Sequence, residues 1–252
     1  MENNDIKIKG YGSEKEESLK KEFAQLFKEC PIPENELLAN LGLFLRRQEI
    51  SKMFFINELY KNIIDIHGIV MELGTRWGKN MALFESLRGM YEPFNHNRKI
   101  VGFDTFEGFT PKHEKDGNAD ILTAGAYSVT VNYEEYLDKI LYHHEQASPV
   151  SHIKKYEIRK GDASVELEKY LKEHPETIIA LAYFDFDLYE PTKKCLELIK
   201  PHITKGSVIG LDELNHPDFP GETRALKEVF GLDKYKIRRM PNSSYKSYII
   251  IE

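Results

Sequence analysis

The sequence predicts an α/β fold built on a mostly parallel, doubly wound sheet. Two observations carry this. Short runs that are apolar along their whole length alternate with helix-length stretches, and these runs end one after another at an acid. Strands covered by helices on both faces read as continuous apolar runs, because crossover connections bury both sides of a parallel sheet.

Residues 1–18 are charged and poor in apolar side chains, so a loosely packed arm is expected there. From Leu19 the pattern turns helical, with Phe23, Leu26 and Phe27 at spacings of three and four, until Pro31 and Pro33 break it. A second helical region spans residues 34–66, in two pieces separated by residues 46–50. Strand follows at 69–73, then a glycine turn and a helix through Leu87. Further strands are expected at 100–104, 156–162, 178–185 and 207–212. Helices are expected at 164–173, 191–199 and 222–230. Residues 235–239 and 245–251 read as an antiparallel hairpin at one sheet edge. The long irregular stretch 110–151, with a helix-like segment at 134–145, reads as a lid. One structural domain is expected: an arm and helices over residues 1–66 packed on a core of residues 67–252.

The formal net charge of −6 offers no general attraction to nucleic acid or anionic membranes. Cys30 and Cys195 stand far apart, outside any metal-ligand spacing, and read as free thiols of a reducing compartment. The N-terminus is polar and no uncharged run is long enough to span a bilayer, so a cytoplasmic location is expected.

Ligands of open parallel sheets bind beyond the carboxyl ends of the strands. There the chain places Glu72 before Gly74, then Asp104, Asp162, Asp185 and the pair Asp212-Glu213. The first turn, Glu72-Leu-Gly-Thr-Arg-Trp-Gly78, lacks the Gly-x-Gly-x-x-Gly spacing of dinucleotide sites and the Gly-Lys-Ser/Thr ending of a phosphate loop. Glu72 would repel a pyrophosphate and suits a cationic ligand. Asp104, at the end of the second strand, suits a bidentate grip on ribose hydroxyls. Asp162 is also placed to cap the helix that follows it.

Taken together, Glu72-x-Gly74-x-x-x-Gly78, Phe103-Asp104-Thr105-Phe106-Glu107-Gly108, Asp185-Phe-Asp187-Leu-Tyr189-Glu190-Pro-Thr192 and Asp212-Glu213 resemble the macrocin O-methyltransferase family. These are class I, Rossmann-like enzymes that methylate sugar hydroxyls, and the resemblance covers residues 45–252. The phrase Phe219-Pro-Gly-Glu-Thr-Arg-Ala225 is similar to members acting on nucleotide-linked deoxysugars. The resemblance implies S-adenosylmethionine as cofactor, held by Glu72, Gly74, Thr75, Gly78, Asp104, Thr105, Phe106, Asp162, Ala163 and Asp185. It further implies Mg²⁺ or Mn²⁺ on Asp185, Asp212 and Glu213, and proton transfer by Asp185 or Asp187. Two positions depart from the family pattern: Glu213 replaces the second acid of an Asp-Asp pair, and Arg76 stands at a usual glycine.

The chemistry agrees. A sugar hydroxyl is a poor nucleophile at neutral pH and needs a base or a Lewis acid. Carboxylates suit hard divalent cations. Alternation along an extended chain puts Asp185 and Asp187 on one side. His216, just after the metal pair, is a candidate auxiliary base. The implied acceptor is a nucleotide-linked hexose or heptose of a glycan, capsule or natural-product pathway, and self-association into a homo-oligomer is left open. The alternatives are a catechol-type methyltransferase and a non-catalytic cofactor-binding module. Retention of the whole carboxylate set argues against the latter.

Overall fold

The computed structural model describes Ile6 and residues 12–252. Most of the arm expected at 1–18 lies outside the described residues. Its last part, however, is helical: α1 (Glu14–Lys28) begins five residues before the expected start at Leu19. A capping box explains the difference. The Ser13 side chain accepts from Glu16 N, and the Glu16 carboxylate accepts from Ser13 N at 2.8 Å. Helix α1 buries none of its residues and meets the following segment through Phe27 and Phe44, whose ring centroids lie 4.8 Å apart.

A short α2 (Glu34–Leu37) runs into a 3₁₀ stretch over Leu38–Phe44. The break falls at Leu45-Arg46, not over 46–50, because α3 (Arg47–Lys61) already includes Arg47 through Ile50. The sheet follows: β1 (Ile69–Leu73), α4 (Lys79–Tyr91), β2 (Ile100–Asp104), α5 (Tyr133–Gln146), β3 (Tyr156–Lys160), α6 (Ala163–Glu173), β4 (Ile179–Phe184), α7 (Tyr189–Ile199), β5 (Ile203–Leu211), α8 (Gly221–Val229), β6 (Arg238–Arg239) and β7 (Ser247–Ile250). Two bounds moved outward by four residues each. Helix α4 continues four residues past Leu87. Strand β5 begins at Ile203, because pairing with Ile179 and a bond from Gly206 N to Ile251 O recruit a polar stretch.

The strand order is β3-β2-β1-β4-β5-β7-β6, parallel through β5, with β7 and β6 antiparallel at the edge. This is the doubly wound, Rossmann-like arrangement expected, and its order reverses between β1 and β4. Every residue of β4 is buried, and its side chains divide between two cores. Ile179, Ala182 and Phe184 pack with α6, α7 and α8, whereas Leu181 and Tyr183 pack with α3, α4 and α5.

Register places the site. Leu73 pairs with both Phe103 and Phe184, and Phe184 pairs with Leu211. The residues that follow, Gly74, Asp104, Asp185 and Asp212, therefore emerge along one rim. The long connection between β2 and β3 is pinned beside that rim: buried Asp116 accepts from Tyr189 N at 2.5 Å, and Lys115 Nζ pairs with Glu228 at 2.6 Å.

Among the described residues, one buried carboxyl outside the site lacks a partner on both oxygens. Glu85 on α4 is fully buried, neither carboxylate oxygen has a hydrogen-bond partner, and burial raises its pKa to about 8. Between pH 4.5 and about 8 the folded chain retains a proton that the unfolded chain has released. Stability therefore falls as pH rises through that window, by at most about 1.4 kcal/mol per pH unit. Glu85→Gln is expected to gain stability relative to wild type at pH 9 but not at pH 5. Urea unfolding at both values checks this, and an equal difference at both would contradict it.

Candidate active site

A cavity of about 380 Å³ opens at the rim. Its first wall is the loop between β1 and α4. Gly74 has φ +96°, and a Cβ there would collide with the Asp185 carbonyl oxygen, so only glycine lets the two loops approach this closely. Arg76 takes a left-handed φ of 48°, a region sparsely populated by residues other than glycine. The carboxylate of Asp104 holds this shape by accepting from Arg76 N at 2.7 Å and Phe106 N at 2.6 Å. The Asp104 carboxylate keeps acceptor capacity for a ligand.

Beneath the loop, Glu72 is fully buried and accepts from Asn80 Nδ2 at 2.7 Å. Burial, and behind it the Asp185 and Asp104 charges, raise its pKa well above the usual carboxylate range, against that hydrogen bond. Glu72 Oε2, Thr75 Oγ1 and Asn80 Oδ1 are buried without partners, and Thr75 and Asn80 line the cavity. Buried polar atoms are costly when unpaired, so three on the end of β1, the loop and the start of α4 mark a place where a polar ligand belongs. Further along, Asp162 caps α6 by accepting from Ser164 N at 2.9 Å, and with Ala163 and Thr105 it lines the cavity. Arg76 lies over the Tyr127 ring at 4.9 Å.

The opposite wall is acidic. Asp185, Asp187, Asp212 and Glu213 all line it. Lys52 of α3 bridges two of them, with Nζ 2.8 Å from Asp185 Oδ2 and 3.3 Å from Asp212 Oδ1. Asp212 also accepts from Lys246 Nζ at 2.7 Å and from the Tyr183 hydroxyl. Despite burial, these two ammoniums hold Asp212 below the usual range, and the carboxylates hold Lys52 above its own. Asp185 is raised by burial and by Asp212. Asp187 is raised well above its usual value by burial, then by Asp185 and Glu213, and its backbone is left-handed at φ 62°. Buried Glu222 ties this wall together, accepting from Glu213 N at 3.1 Å and Asp187 N at 3.4 Å.

Of the residues expected at the site, the cavity gathers Gly74, Thr75, Asp104, Thr105, Asp162, Ala163, Asp185, Asp187, Asp212 and Glu213. Four stand off its lining. Glu72 lies below the first loop, and Phe106 packs in the core beside Val129 and Leu137. Gly78 starts α4 at φ +71°, where a Cβ would collide with Leu137. His216 is buried between Phe219 and Tyr245, with Nε2 3.7 Å from Glu213 Oε2. Among the described residues no group of three His, Cys, Asp or Glu side chains is arranged to hold a metal ion. No helix among them is long and apolar enough to cross a membrane. Sequence reasoning passed over Lys52, Asn80, Tyr183, Glu222 and Lys246.

No family model matches the chain, and no curated protein does. Among solved structures the chain is similar to CalS11, calicheamicin methyltransferase, at 40% identity over 96% of this chain and 94% of that one, with a TM-score of 0.92. It is similar at 38% identity to the apo structure of CalS11, described as a TDP-rhamnose 3'-O-methyltransferase of calicheamicin biosynthesis, over 96% of both chains with a TM-score of 0.84. The O-methyltransferase NovP shares the fold at 16% identity, over 80% of each chain, with a TM-score of 0.58.

Gly74→Ala is expected to destabilise the protein by about 1–3 kcal/mol, because it forces a side chain into a positive-φ position against a backbone oxygen. The single tryptophan, Trp77, lines the cavity and reports the change. A wild-type urea midpoint with unaltered Trp77 emission would show that the two loops do not need this approach.

Proposed function

The chain belongs to the macrocin O-methyltransferase-like family of class I S-adenosylmethionine-dependent O-methyltransferases, and from that membership we propose that it methylates a hydroxyl of a nucleotide-linked hexose or heptose. The observation that carries the reading is one cavity, which joins unpaired polar atoms of Thr75 and Asn80 to a wall of four carboxylates. In this reading Asp104 takes the ribose hydroxyls, and Asp162 with Ala163 borders the adenine. Thr75 and Asn80 supply acceptors for the ammonium of the methionine tail, while Glu72 orients Asn80 from below. When bound, S-adenosylmethionine supplies a sulfonium-activated methyl group, and the products are a methyl ether, S-adenosylhomocysteine and a proton.

The chain's part is to place the acceptor hydroxyl and take its proton. Asp187 is the base: it lines the cavity, and the neighbours that raise its pKa make its ionised form a stronger proton acceptor. Glu222 and Glu213 fix the loop that carries it. His216 sits behind Glu213 and acts through that carboxylate.

The proposal includes a divalent cation on Asp185, Asp212 and Glu213, whose side chains are not arranged as a metal site here and would hold the ion only once Asp185 and Asp212 turn from Lys52 toward it. Hard oxygen donors on two adjacent strand ends suit Mg²⁺ or Mn²⁺, and Glu213 Oε2 is buried without a hydrogen-bond partner. Lys52 holds the same Asp185 and Asp212 carboxylates, so lysine and ion compete for them. The ion would add Lewis-acid polarisation of the acceptor hydroxyl. The reaction is expected in the cytoplasm, on a precursor of a glycan, capsule or natural product.

Incubation with S-adenosylmethionine, Mg²⁺ and a panel of nucleotide sugars is expected to yield a product heavier by one methyl group. Asp187→Asn is expected to lower turnover by about 10²–10⁴, with S-adenosylhomocysteine binding, read from Trp77 fluorescence, retained. Chelation is expected to stop turnover reversibly. An Asp187→Asn enzyme as fast as wild type would remove the base assignment, and full turnover after exhaustive chelation would remove the metal.

A further inference from the structure

Beside the acidic wall lies a second cavity of about 760 Å³, within the roughly 300–1,000 Å³ typical of small-molecule sites. It is formed by the first two turns of α3, the start of α4 and the turn between β6 and β7. Its charge is opposite to that of the chain. Arg47, Lys52, Lys79 and Lys246 line it against a single acid, Glu49, whereas the protein as a whole carries −6. Arg46 already neutralises Glu49 through an ion pair of 2.5 Å.

We propose that this second cavity binds the nucleoside diphosphate of the acceptor, while the attached sugar reaches past Lys52 to the acidic wall. The inference rests on the nucleotide-sugar reading above and assigns the anionic half of that substrate. Lys52 and Lys79 line both cavities, so one ligand can span them. Arg47, Ser51 and Phe54 recur at the i, i+4 and i+7 spacing of one helix face. Each offers a different contact. Arg47 presents a planar fork that matches phosphate oxygens, and the Ser51 hydroxyl, which donates to Asn242 O at 3.0 Å, would have to turn from that carbonyl to reach one. Phe54 is 58% exposed, an open aromatic face on which a base can stack.

The start of α3 adds to this. Its N-cap residue is Arg46, which has no acceptor to offer, so the first-turn amides of a 15-residue helix have no side-chain cap. Among the described residues neither Arg47 nor Lys79 has a carboxylate partner. Burial and the neighbouring Lys52 lower the pKa of Lys79, which marks the excess of positive charge a polyanion would relieve.

Calorimetric titration with thymidine diphosphate tests the assignment, with S-adenosylhomocysteine titrated into the same protein. The wild type is expected to bind thymidine diphosphate equally well with and without saturating S-adenosylhomocysteine, and more weakly as salt rises. Arg47→Glu is expected to weaken it at least about tenfold, leaving S-adenosylhomocysteine affinity unchanged. A glutamate in the first turn favours the helix dipole, so this variant folds. Phe54→Ala, on an exposed side chain, is expected to weaken thymidine diphosphate by about fivefold or more but leave inorganic pyrophosphate unaffected. Competition between thymidine diphosphate and S-adenosylhomocysteine, wild-type affinity in Arg47→Glu, or no binding to a protein that binds S-adenosylhomocysteine would each overturn the subsite while leaving the methyltransferase reading intact. Failure of S-adenosylhomocysteine to bind would instead count against that reading, and the thymidine diphosphate result would still judge the second cavity.

Discussion

Everything at the rim depends on the backbone contact between Gly74 and the Asp185 carbonyl. Leu73 and Phe184 are paired in parallel register, so the chains leave β1 and β4 side by side. Because the strand order reverses here, the two connections diverge to opposite faces of the sheet and open a crevice. Gly74 lets the first loop cross close to Asp185 before it turns away. The loop then needs a left-handed Arg76, held by Asp104. The other connection needs a left-handed Asp187, held by Glu222. Left-handed non-glycine residues cost on the order of 1–3 kcal/mol each, and each here is fastened by a carboxylate from a different element. A cofactor loop and an acidic wall are thereby set at a fixed separation.

The acidic wall poses a second problem, which is charge. Asp185, Asp187, Asp212, Glu213 and Glu222 lie close together, and like charges in a partly dry site oppose ionisation. The fold answers unequally. Asp212 receives Lys52, Lys246 and the Tyr183 hydroxyl and stays ionised. Asp187, Glu213 and Glu222 receive no such cation, and their pKa values rise. Groups held charged and groups held ready for a proton thus share one wall, a division that acid–base chemistry uses. The same lysines form the border with the basic second cavity, so the two fields meet at Lys52 and Lys246.

The strands and their acids were legible in the sequence because both are local features. A buried strand must be apolar along its length, and Asp104, Asp185 and Asp212 each follow such a run directly. What escaped was the set of partners that arrive from far away in the chain. Lys52 lies 133 residues from Asp185, and nothing in the charge pattern of α3 points to it. Tyr183 reads as one more buried strand residue, although its hydroxyl reaches Asp212. Glu222 belongs to a phrase noted for its resemblance, yet its role as a backbone clamp depends on two loops meeting. His216 shows the reverse case: it follows the acid pair closely in sequence, but the turn packs its ring against Phe219 and Tyr245, off the cavity lining. Helix α1 starts earlier than its apolar spacing shows, because the Ser13–Glu16 capping box, and not apolar burial, sets its first turn.

The central claim is that cofactor and acceptor meet in the crevice between the Gly74 loop and the Asp185–Asp187 wall. A crystal structure with S-adenosylhomocysteine tests it most directly. The ribose hydroxyls are expected on Asp104, the adenine beside Asp162 and Ala163, and the sulfur turned toward Asp185 and Asp187. A ligand whose ribose lies away from Asp104, or whose sulfur faces away from the acidic wall, would contradict it.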